Sequence, residues 1–382
     1  MRLLTAFAHA AALIVAAGLS VSPAFARDTP ARQAILIDVA TDSVLFSKNA
    51  DQRMPPASMS KLMTAYMVFE RLADGRLSLD DEFPVSERAW RKGGSKMFVE
   101  VGKRVSVEDL LRGIIVQSGN DACIVIAEGL SGSEEAFAED MTKKAREIGL
   151  TDSNFRNASG WPDPDHYMSA RDLARLAMRL AQDFPQFYPI YSEKEFTFAG
   201  IKQGNRNPLL YKNIGADGLK TGHTEESGYG LTASAVRDGR RLVLVVNGLE
   251  SVTQRARESE RLLQWGFREF KNYPLFKAGE TVAEANVWLG KNGSVPLLLE
   301  SPLTLTLSRK DRQEMNVTVN YDGPIPAPIA KGAQVATLRI AAPGLEAPVE
   351  RPLIAGADID QLGFVGRIGA ALQHLLLGAA SQ

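Results

Sequence analysis

The sequence predicts an α/β (α+β) domain with a helical lobe, then a small all-β sandwich domain and a C-terminal amphipathic helix. Strand-like segments at 34–54 and 215–249 flank a stretch from about 60 to 195 whose apolar residues recur at helical spacing. From about 281 the chain becomes a series of short alternating strands separated by turn residues. We therefore predict a first domain at 27–280, a β-rich domain at 281–357 and the helix at 358–382.

The first domain begins with two short strands in 34–54, around a turn at Ala40 to Ser43. A helix begins near Ala57 or Ser58, because two prolines hold the preceding chain extended. Its residues are almost all apolar, which is typical of a helix packed into the centre of a domain. Further apolar periodicity predicts helices in four later segments, 107–117, 121–130, 134–150 and 169–184.

Three strands are expected within 215–249, with Asp238-Gly239 as the hairpin turn between the last two. A helix at 253–270 follows them. Strands that lie at both ends of a helical insert indicate one domain whose sheet is completed late in the chain. The β-rich region after about 281 shows no catalytic constellation.

The first 26 residues have the composition of a secretory signal peptide. They contain a single arginine near the start, a short apolar run, and Ala24-Phe25-Ala26 at the expected cleavage site. We expect removal of residues 1–26, export, and a periplasmic location on the outer face of the cytoplasmic membrane.

Composition excludes several classes of function. The 44 basic and 45 acidic residues leave no charge excess of the kind that predicts a nucleic-acid partner. Cys123 is the single cysteine, so no internal disulfide can form, and it is expected to be a small buried apolar residue. No zinc-binding motif occurs, and we expect neither a metal nor a cofactor.

The C-terminal tail places apolar residues along one helical stripe: Leu362, Val365, Ile368, Leu372, Leu375 and Leu376. This stripe could dock on the β-rich domain or lie in a membrane interface. Arg367 is its only strongly basic residue, which weakens electrostatic attraction to lipid. We expect peripheral membrane association through this helix.

Ser58 and Lys61 stand three residues apart at the start of the apolar helix in "PPASMSKLMTAYMVFE". Ser58 could be a helix cap and Lys61 a surface residue that reaches water. However, a capping box needs Glu or Gln at the lysine position, and the helix dipole disfavours a cation there. A lysine desolvated at this place has a lowered pKa and can act as a base. Helical spacing brings it within reach of the serine hydroxyl.

Two further motifs follow in the chain, Ser118-Gly119-Asn120 and Lys220-Thr221-Gly222. Each of them alone is common in turns and hairpin bends. Their occurrence in this order after a Ser-x-x-Lys pair matches the set known from β-lactamases and penicillin-binding proteins.

The segments "PPASMSKLMTAYM", "SGNDAC", "NRNPLLY", "DGLKTGHT" and "LLQWGF" resemble a narrower group. With a β-rich domain and an amphipathic tail, they are similar to the type-5 subgroup of low-molecular-mass penicillin-binding proteins. These are serine D-alanyl-D-alanine carboxypeptidases of peptidase family S11. The resemblance covers nearly the whole chain after residue 26. It implies a penicillin-binding/β-lactamase-like transpeptidase fold, peptidoglycan stem peptides as substrates and β-lactam antibiotics as covalent inhibitors.

The resemblance also implies a role for each catalytic residue. Ser58 would attack the carbonyl of the penultimate D-alanine and Lys61 would take its proton. Ser118 would relay a proton to the leaving amine, while Asn120 orients Lys61 and the substrate amide. Lys220, kept cationic, would attract the terminal carboxylate of the substrate.

By the same resemblance, Thr221 and Arg206 would help to bind that carboxylate, beside Gly222. His223 would contribute its backbone N–H, with that of Ser58, to an oxyanion hole. Arg255 matches a family position near the Lys-Thr-Gly strand, although Arg257 lies close enough to confuse the assignment.

The sequence departs from the family pattern at 159–161, where it has Ser-Gly-Trp and the family often has His-Gly-Leu. A family contact made by that histidine cannot be transferred.

Two other functions remain open from the residues alone. A class A-like β-lactamase needs a Glu-x-x-Leu-Asn segment, and the nearest approach here is "EIGLT" at 147–151, where Thr151 replaces the asparagine. A non-catalytic wall-binding scaffold would use the β-rich domain for partners. Such a protein has no need of a desolvated lysine at Lys61.

Overall fold

The structure is a computed structural model that describes residues 28–366, 368 and 369. Its helices are α1 (Lys61–Ala73), α2 (Glu87–Arg91), α3 (Val107–Ile115), α4 (Asn120–Ser131), α5 (Glu134–Glu147), α6 (Ala170–Asp183), α7 (Val252–Glu269) and α8 (Arg309–Gln313). Short 3-10 helices lie at Ala57–Ser60, Tyr188–Ser192 and Pro208–Tyr211.

The strands within residues 28–276 are β1 (Gln33–Asp38), β2 (Ser43–Lys48), β3 (Glu82–Pro84), β4 (Arg104–Ser106), β5 (Glu195–Phe198), β6 (Ile201–Gly204), β7 (Ala216–Thr224), β8 (Gly228–Arg237), β9 (Arg240–Leu249) and β10 (Phe270–Phe276). The later strands are β11 (Thr281–Trp288), β12 (Ser294–Leu298), β13 (Leu303–Ser308), β14 (Asn316–Asn320), β15 (Ile325–Pro326), β16 (Gln334–Ala341) and β17 (Val349–Ala355).

The first domain is built on a five-stranded antiparallel sheet with the order β2-β1-β9-β8-β7. The N-terminal strand β1 pairs with the late strand β9, with Leu36 opposite Leu244. The sheet is therefore completed only after the helical insert, as the order of the segments predicts. Strand β7, which carries the Lys-Thr-Gly motif, lies at the free edge of this sheet.

Apolar residues cover both faces of this sheet. Ile35, Val243 and Val245 join the large core shared with α1, α3, α4, α5 and α6. Leu36, Leu244 and residues of α7 form a second core on the opposite face. Because β1 and β9 alternate their side chains between these cores, the strands are buried on both sides. Helix α1 lies in the larger core and is buried from Lys61 through Phe69.

The β-rich part has one core of its own. A six-stranded sheet, ordered β14-β16-β17-β12-β11-β15, and the two-stranded sheet β10-β13 both contribute side chains to it. Leu338 and Leu353 from the larger sheet and Leu307 from the smaller one are fully buried there. Two sheets that share one apolar core form a sandwich.

The predicted fold class is confirmed for both folded parts. The boundary at residue 280 stays a proposal, because β10, before it, pairs with β13, after it. The signal peptide at 1–26 lies outside the described residues, as does most of the predicted helix at 358–382. No helix within the described part of the chain is long and apolar enough to cross a membrane.

Candidate active site

Ser58 lies in the 3-10 turn Ala57–Ser60 that precedes α1. Two glycines allow other segments to pack against this turn. A Cβ on Gly222 of strand β7 would lie 2.8 Å from the carbonyl oxygen of Pro56, and a Cβ on Gly160 would lie 1.9 Å from that of Ala57. Gly160 also has a φ of +75°, which favours glycine. These two positions require glycine if the strand and the 157–161 loop are to enclose the serine.

Lys61 is the first residue of α1 and only 1% exposed. Its Nζ lies 2.7 Å from Ser58 Oγ, 2.8 Å from Asn120 Oδ1 and 2.7 Å from the carbonyl oxygen of Ser159. Asn120 Oδ1 and the carbonyl can only accept hydrogen bonds, whereas a hydroxyl can also donate. A neutral amine has two N–H groups and one lone pair, so it satisfies all three neighbours when Ser58 donates to it.

The electrostatic environment shifts the amine of Lys61 towards that neutral form. The pKa of Lys61 is lowered from 10.5 to about 8, mainly by burial; the charges of Arg206 and Lys92 act in the same direction, and those of Cys123 and Asp121 oppose it. An amine with such a pKa is partly unprotonated near neutral pH. Lys61 can therefore act as a general base towards Ser58.

Ser118 and Asn120 lie where α3 is followed by α4. Ser118 is buried and has a φ of +62°, an uncommon conformation for a residue other than glycine. Asn120 begins α4, and its Nδ2 donates to the carbonyl oxygen of Gly93 at 2.9 Å. This bond fixes the orientation of the amide, so that Oδ1 faces Lys61.

Asp121 holds the backbone next to Asn120 in place. Its carboxylate accepts hydrogen bonds from the backbone N–H groups of Met97, Phe98, Val99 and Ala122. It thereby holds the 93–99 loop against the start of α4. Sequence reasoning missed this residue, although an acid in the first turn of a helix is a recognisable feature.

Lys220 points from strand β7 towards Ser118. Its Nζ donates to Ser118 Oγ at 2.9 Å, and the side chain is almost fully buried. Burial is the main cause that places the pKa of Lys220 well below 10.5, and the charges of Lys61 and Arg206 act in the same direction. The resemblance implies a cationic Lys220, and an anion beside the ammonium would raise its pKa and favour that form.

The residues around Lys220 form the edge of the site. Thr221 is buried, while His223 is exposed and stacks on Tyr229 with ring centroids 3.9 Å apart. Arg206 is held at the rim by a hydrogen bond from Nη1 to Ser95 Oγ at 2.6 Å.

The two arginines on α7 differ in burial. Arg255 is 6% exposed and lies over the ring of Tyr229, whereas Arg257 is exposed. Burial lowers the pKa of Arg255 to about 10. Its Nε has no hydrogen-bond partner among the described residues.

His166 is a second residue whose position sequence reasoning missed. Its side chain is 3% exposed. The backbone N–H of Arg156 donates to Nδ1 at 3.2 Å, so Nε2 carries the proton and donates to Ser60 Oγ at 2.7 Å. Burial lowers the pKa of His166 to about 4, and it stays neutral near pH 7.

All of the predicted site residues therefore lie in one cleft, between the helical lobe and the edge strand β7. This cleft contains two buried lysines, two hydroxyls bonded to them, and two arginines close by.

Comparison with known proteins identifies the family. A family model described as D-alanyl-D-alanine carboxypeptidase matches residues 19–251.

The chain belongs to the D-alanyl-D-alanine carboxypeptidase family.

A second model, the C-terminal domain of penicillin-binding protein 5, matches residues 270–361. The carboxypeptidase DacC of Escherichia coli is 39% identical over 346 residues, which is 88% of this chain and 86% of DacC. DacA of Haemophilus influenzae is 38% identical over 341 residues, 88% of this chain and 85% of that protein. The predicted family and activity are confirmed: this is a serine-type D-alanyl-D-alanine carboxypeptidase.

Solved structures agree with this assignment. Penicillin binding protein 5 from Haemophilus influenzae has a TM-score of 0.75 at 38% identity, covering 87% of this chain and 98% of that one. DacD from Francisella tularensis has a TM-score of 0.79 at 30% identity, covering 88% and 95%. Penicillin-binding protein D2 from Listeria monocytogenes, solved in its ampicillin-bound form, has a TM-score of 0.58 at 30% identity and covers 63% of this chain and 98% of its own.

The glutamate considered for a β-lactamase lies elsewhere. Glu147 ends α5, and its carboxylate forms an ion pair with Lys144 at 2.7 Å. It is about half exposed on the surface of the helical lobe. The carboxypeptidase therefore contains no counterpart of that catalytic acid at this position.

Proposed function

We propose that this carboxypeptidase removes the terminal D-alanine from peptidoglycan stem pentapeptides through an acyl-enzyme on Ser58. The observation that supports this most directly is the hydrogen bond of 2.7 Å between Lys61 Nζ and Ser58 Oγ, made by an almost fully buried lysine. A serine activated by an adjacent base is the arrangement that covalent catalysis requires.

Acylation begins when Ser58 Oγ attacks the carbonyl carbon of the penultimate D-alanine and Lys61 Nζ takes the hydroxyl proton. The backbone N–H groups of Ser58 and His223 stabilise the oxyanion, each contributing about 3–4 kcal/mol. Ser118 then relays to the departing amine the proton that Lys61 took from Ser58, while Lys220 stays cationic and donates a hydrogen bond to the Ser118 hydroxyl. The C–N bond breaks, D-alanine leaves, and water later hydrolyses the ester on Ser58.

The substrate carboxylate binds beside Lys220, Thr221, Gly222 and Arg206. The support for this is electrostatic, because, after burial as the largest cause, the charges of Lys61, Arg206 and Arg255 all lower the pKa of Lys220. An anion placed among them stabilises the protonated form of Lys220. The terminal carboxylate is therefore both recognised and used to restore the charge of this lysine.

Labelling with a fluorescent penicillin tests the acyl-enzyme. We expect one covalent adduct per chain, mapped to Ser58 by peptide mass spectrometry, and no adduct in Ser58→Ala. Release of D-alanine from a stem-pentapeptide mimic is expected to disappear in the same variant. An adduct on another residue, or D-alanine release by Ser58→Ala, contradicts the proposal.

We also propose that the mature enzyme is exported, periplasmic and held peripherally on the outer face of the cytoplasmic membrane by its C-terminal segment. The described start of that segment supports this, since Phe364, Val365 and Ile368 are 73%, 82% and 48% exposed. Exposed apolar side chains at the start of an amphipathic stripe suit insertion into a lipid interface.

Sedimentation with anionic phospholipid vesicles tests this attachment. The mature protein is expected to pellet with the vesicles, and a chain truncated after residue 361 is expected to stay in the supernatant while it still reacts with penicillin. Equal sedimentation of the two proteins contradicts attachment through the C-terminal segment.

A further inference from the structure

Two hydrogen bonds set the direction of the Lys61 amine, and two different segments supply their acceptors. One acceptor is the carbonyl oxygen of Ser159 in the 157–161 loop. The other is Asn120 Oδ1, and the Asn120 amide is oriented by the carbonyl oxygen of Gly93, which follows α2. When both N–H groups of the neutral amine point to these acceptors, its lone pair is left for the serine hydroxyl. A shift of either segment would misdirect that lone pair.

Glu134 lies between these two segments. It is the first residue of α5, and it is 3% exposed. Its Oε1 accepts a hydrogen bond at 3.2 Å from the backbone N–H of Ala158, the neighbour of Ser159 in the chain. Its Oε2 forms an ion pair with Arg88 Nη2 of α2 at 2.9 Å. One carboxylate therefore contacts the loop that carries one acceptor and the helix that precedes the segment orienting the other.

The backbone of Ala158 is held on both sides. This residue is fully buried, and its carbonyl oxygen accepts a hydrogen bond from Thr64 Oγ1 of α1 at 2.6 Å, while its N–H donates to Glu134. A buried N–H without a partner is unfavourable, so loss of the carboxylate would make the loop move until another acceptor satisfied this group. The carbonyl of Ser159, one residue further on, would move with it.

An acid in the first turn of a helix can also act on that helix alone, through its dipole. Glu135 separates the two roles. It lies in the same first turn of α5 and accepts hydrogen bonds of 3.1 and 2.7 Å from Arg88. However, its side chain is 65% exposed and forms no hydrogen bond with the 157–161 loop in the described structure. Effects on α5 or on Arg88 are shared by both acids, whereas an effect on the loop belongs to Glu134.

We propose that Glu134 is a positioning residue for the general base Lys61. It holds the 157–161 loop and α2 so that the amine donates to its two acceptors and directs its lone pair at Ser58. Glu134 touches neither the substrate nor the transferred proton, and it acts through the backbone of Ala158. This inference rests on the proposed acyl-enzyme on Ser58.

Saturation kinetics of acylation by benzylpenicillin test the proposal, because they separate the dissociation constant of the non-covalent complex from the acylation rate constant. Glu134→Ala is expected to lower the rate constant about 10- to 100-fold, the scale on which a small displacement of a catalytic group acts. The dissociation constant should stay within about twofold of the wild type, because the groups that bind the carboxylate are untouched.

The pH dependence gives a second readout that a purely structural role would not move. Raising the pH above about 9, where an amine with the pKa of Lys61, about 8, is neutral, should not restore the rate constant of Glu134→Ala. Deprotonation supplies a lone pair, but it does not redirect it.

The matched control is Glu135→Gln, which removes a carboxylate from the same helical turn and the same arginine. Its acylation rate constant should equal that of the wild type. Glu134→Gln keeps an acceptor for the N–H of Ala158 and loses only the ion pair with Arg88, so its rate constant should fall about three- to tenfold. This variant has the shape of the wild-type residue and carries the test if Glu134→Ala does not fold.

Four results would overturn the inference. They are a normal acylation rate constant in both Glu134 variants, an equal loss in Glu134→Gln and Glu135→Gln, full recovery of Glu134→Ala above about pH 9, or a loss confined to the dissociation constant. Each of these leaves the adduct on Ser58 intact and therefore leaves the proposed function standing. Absence of that adduct in the wild type would instead overturn the proposed function and this inference together.

Discussion

The catalytic cleft and the β-rich sandwich differ in the side chains that they bury. The cleft buries two lysines, Lys61 and Lys220, and brings Arg255 to within a few per cent of full burial. The described part of the sandwich has a core of aliphatic side chains such as Leu338 and Leu353, and its lysines are exposed. Burying a cation without a carboxylate is unfavourable. Burial of these cations therefore lowers the stability of the first domain, but it also makes the amine of Lys61 reactive. The sandwich does not need such an amine.

Removing the lysine of the cleft is the strongest way to test this contrast. Lys61→Ala is expected to slow acylation by penicillin about 10²–10⁴-fold, because the base is lost. Lys61→Arg should be slowed similarly, since a guanidinium stays protonated and cannot take the serine proton. The second-order rate constant of adduct formation measures both.

The matched control is Lys291→Ala in the β-rich part. Lys291 is 62% exposed and forms an ion pair with Asp360, so its removal should leave acylation unchanged and have little effect on stability. Normal acylation by Lys61→Arg would contradict the role of Lys61 as a base.

A core substitution in the sandwich should lower stability and leave acylation nearly unchanged. Leu338→Ala removes a fully buried side chain and is expected to lower the free energy of unfolding by about 2–5 kcal/mol. Acylation of the folded protein should stay within about twofold of the wild type. Urea unfolding and penicillin labelling of the same sample measure the two quantities, and a parallel loss of reactivity would contradict the separation of the two regions.

Two glycines with similar backbones sharpen the comparison further. Gly160 and Gly332 have φ values of +75° and +85°, but a Cβ on Gly160 meets the carbonyl oxygen of Ala57, whereas one on Gly332 meets nothing within 4 Å. Gly332→Ala is expected to cost about 1–2 kcal/mol from backbone strain alone. Gly160→Ala should cost more and also slow acylation, because the clash displaces the turn of Ser58.

Thermal unfolding and penicillin labelling compare the pair. Equal loss of stability in the two variants, with normal acylation by Gly160→Ala, would show that the 157–161 loop does not position the nucleophile.

Much of the cleft could be predicted from sequence because its chemistry is concentrated in short motifs. The spacing of Ser58 and Lys61 already places the two groups together within one turn of helix. The change of apolar period at about 281 likewise indicates the β-rich region, although β10, which precedes it, already pairs with β13. In both cases a local pattern determines the structure directly.

Other features of the site and the fold could not be predicted, because they depend on contacts between residues that are far apart in the sequence. The carbonyl of Ser159 reaches Lys61 across 98 residues of chain, and His166 reaches Ser60 across 106. The hairpins β3-β4 and β5-β6 have strands of three or four residues, too short for an alternating pattern to be recognised. Trp161 was noticed as a departure from the family pattern, but its place beside Asn120 required the fold.

The pH dependence of acylation tests the central claim, the neutral amine of Lys61, most directly. Burial lowers its pKa to about 8, and only the unprotonated form accepts the proton of Ser58. The second-order rate constant for benzylpenicillin should therefore rise about tenfold per pH unit below pH 8 and level off above it. A rate that is constant from pH 6 to 9, or that keeps rising until pH 10.5, the ordinary pKa of lysine, would contradict the account.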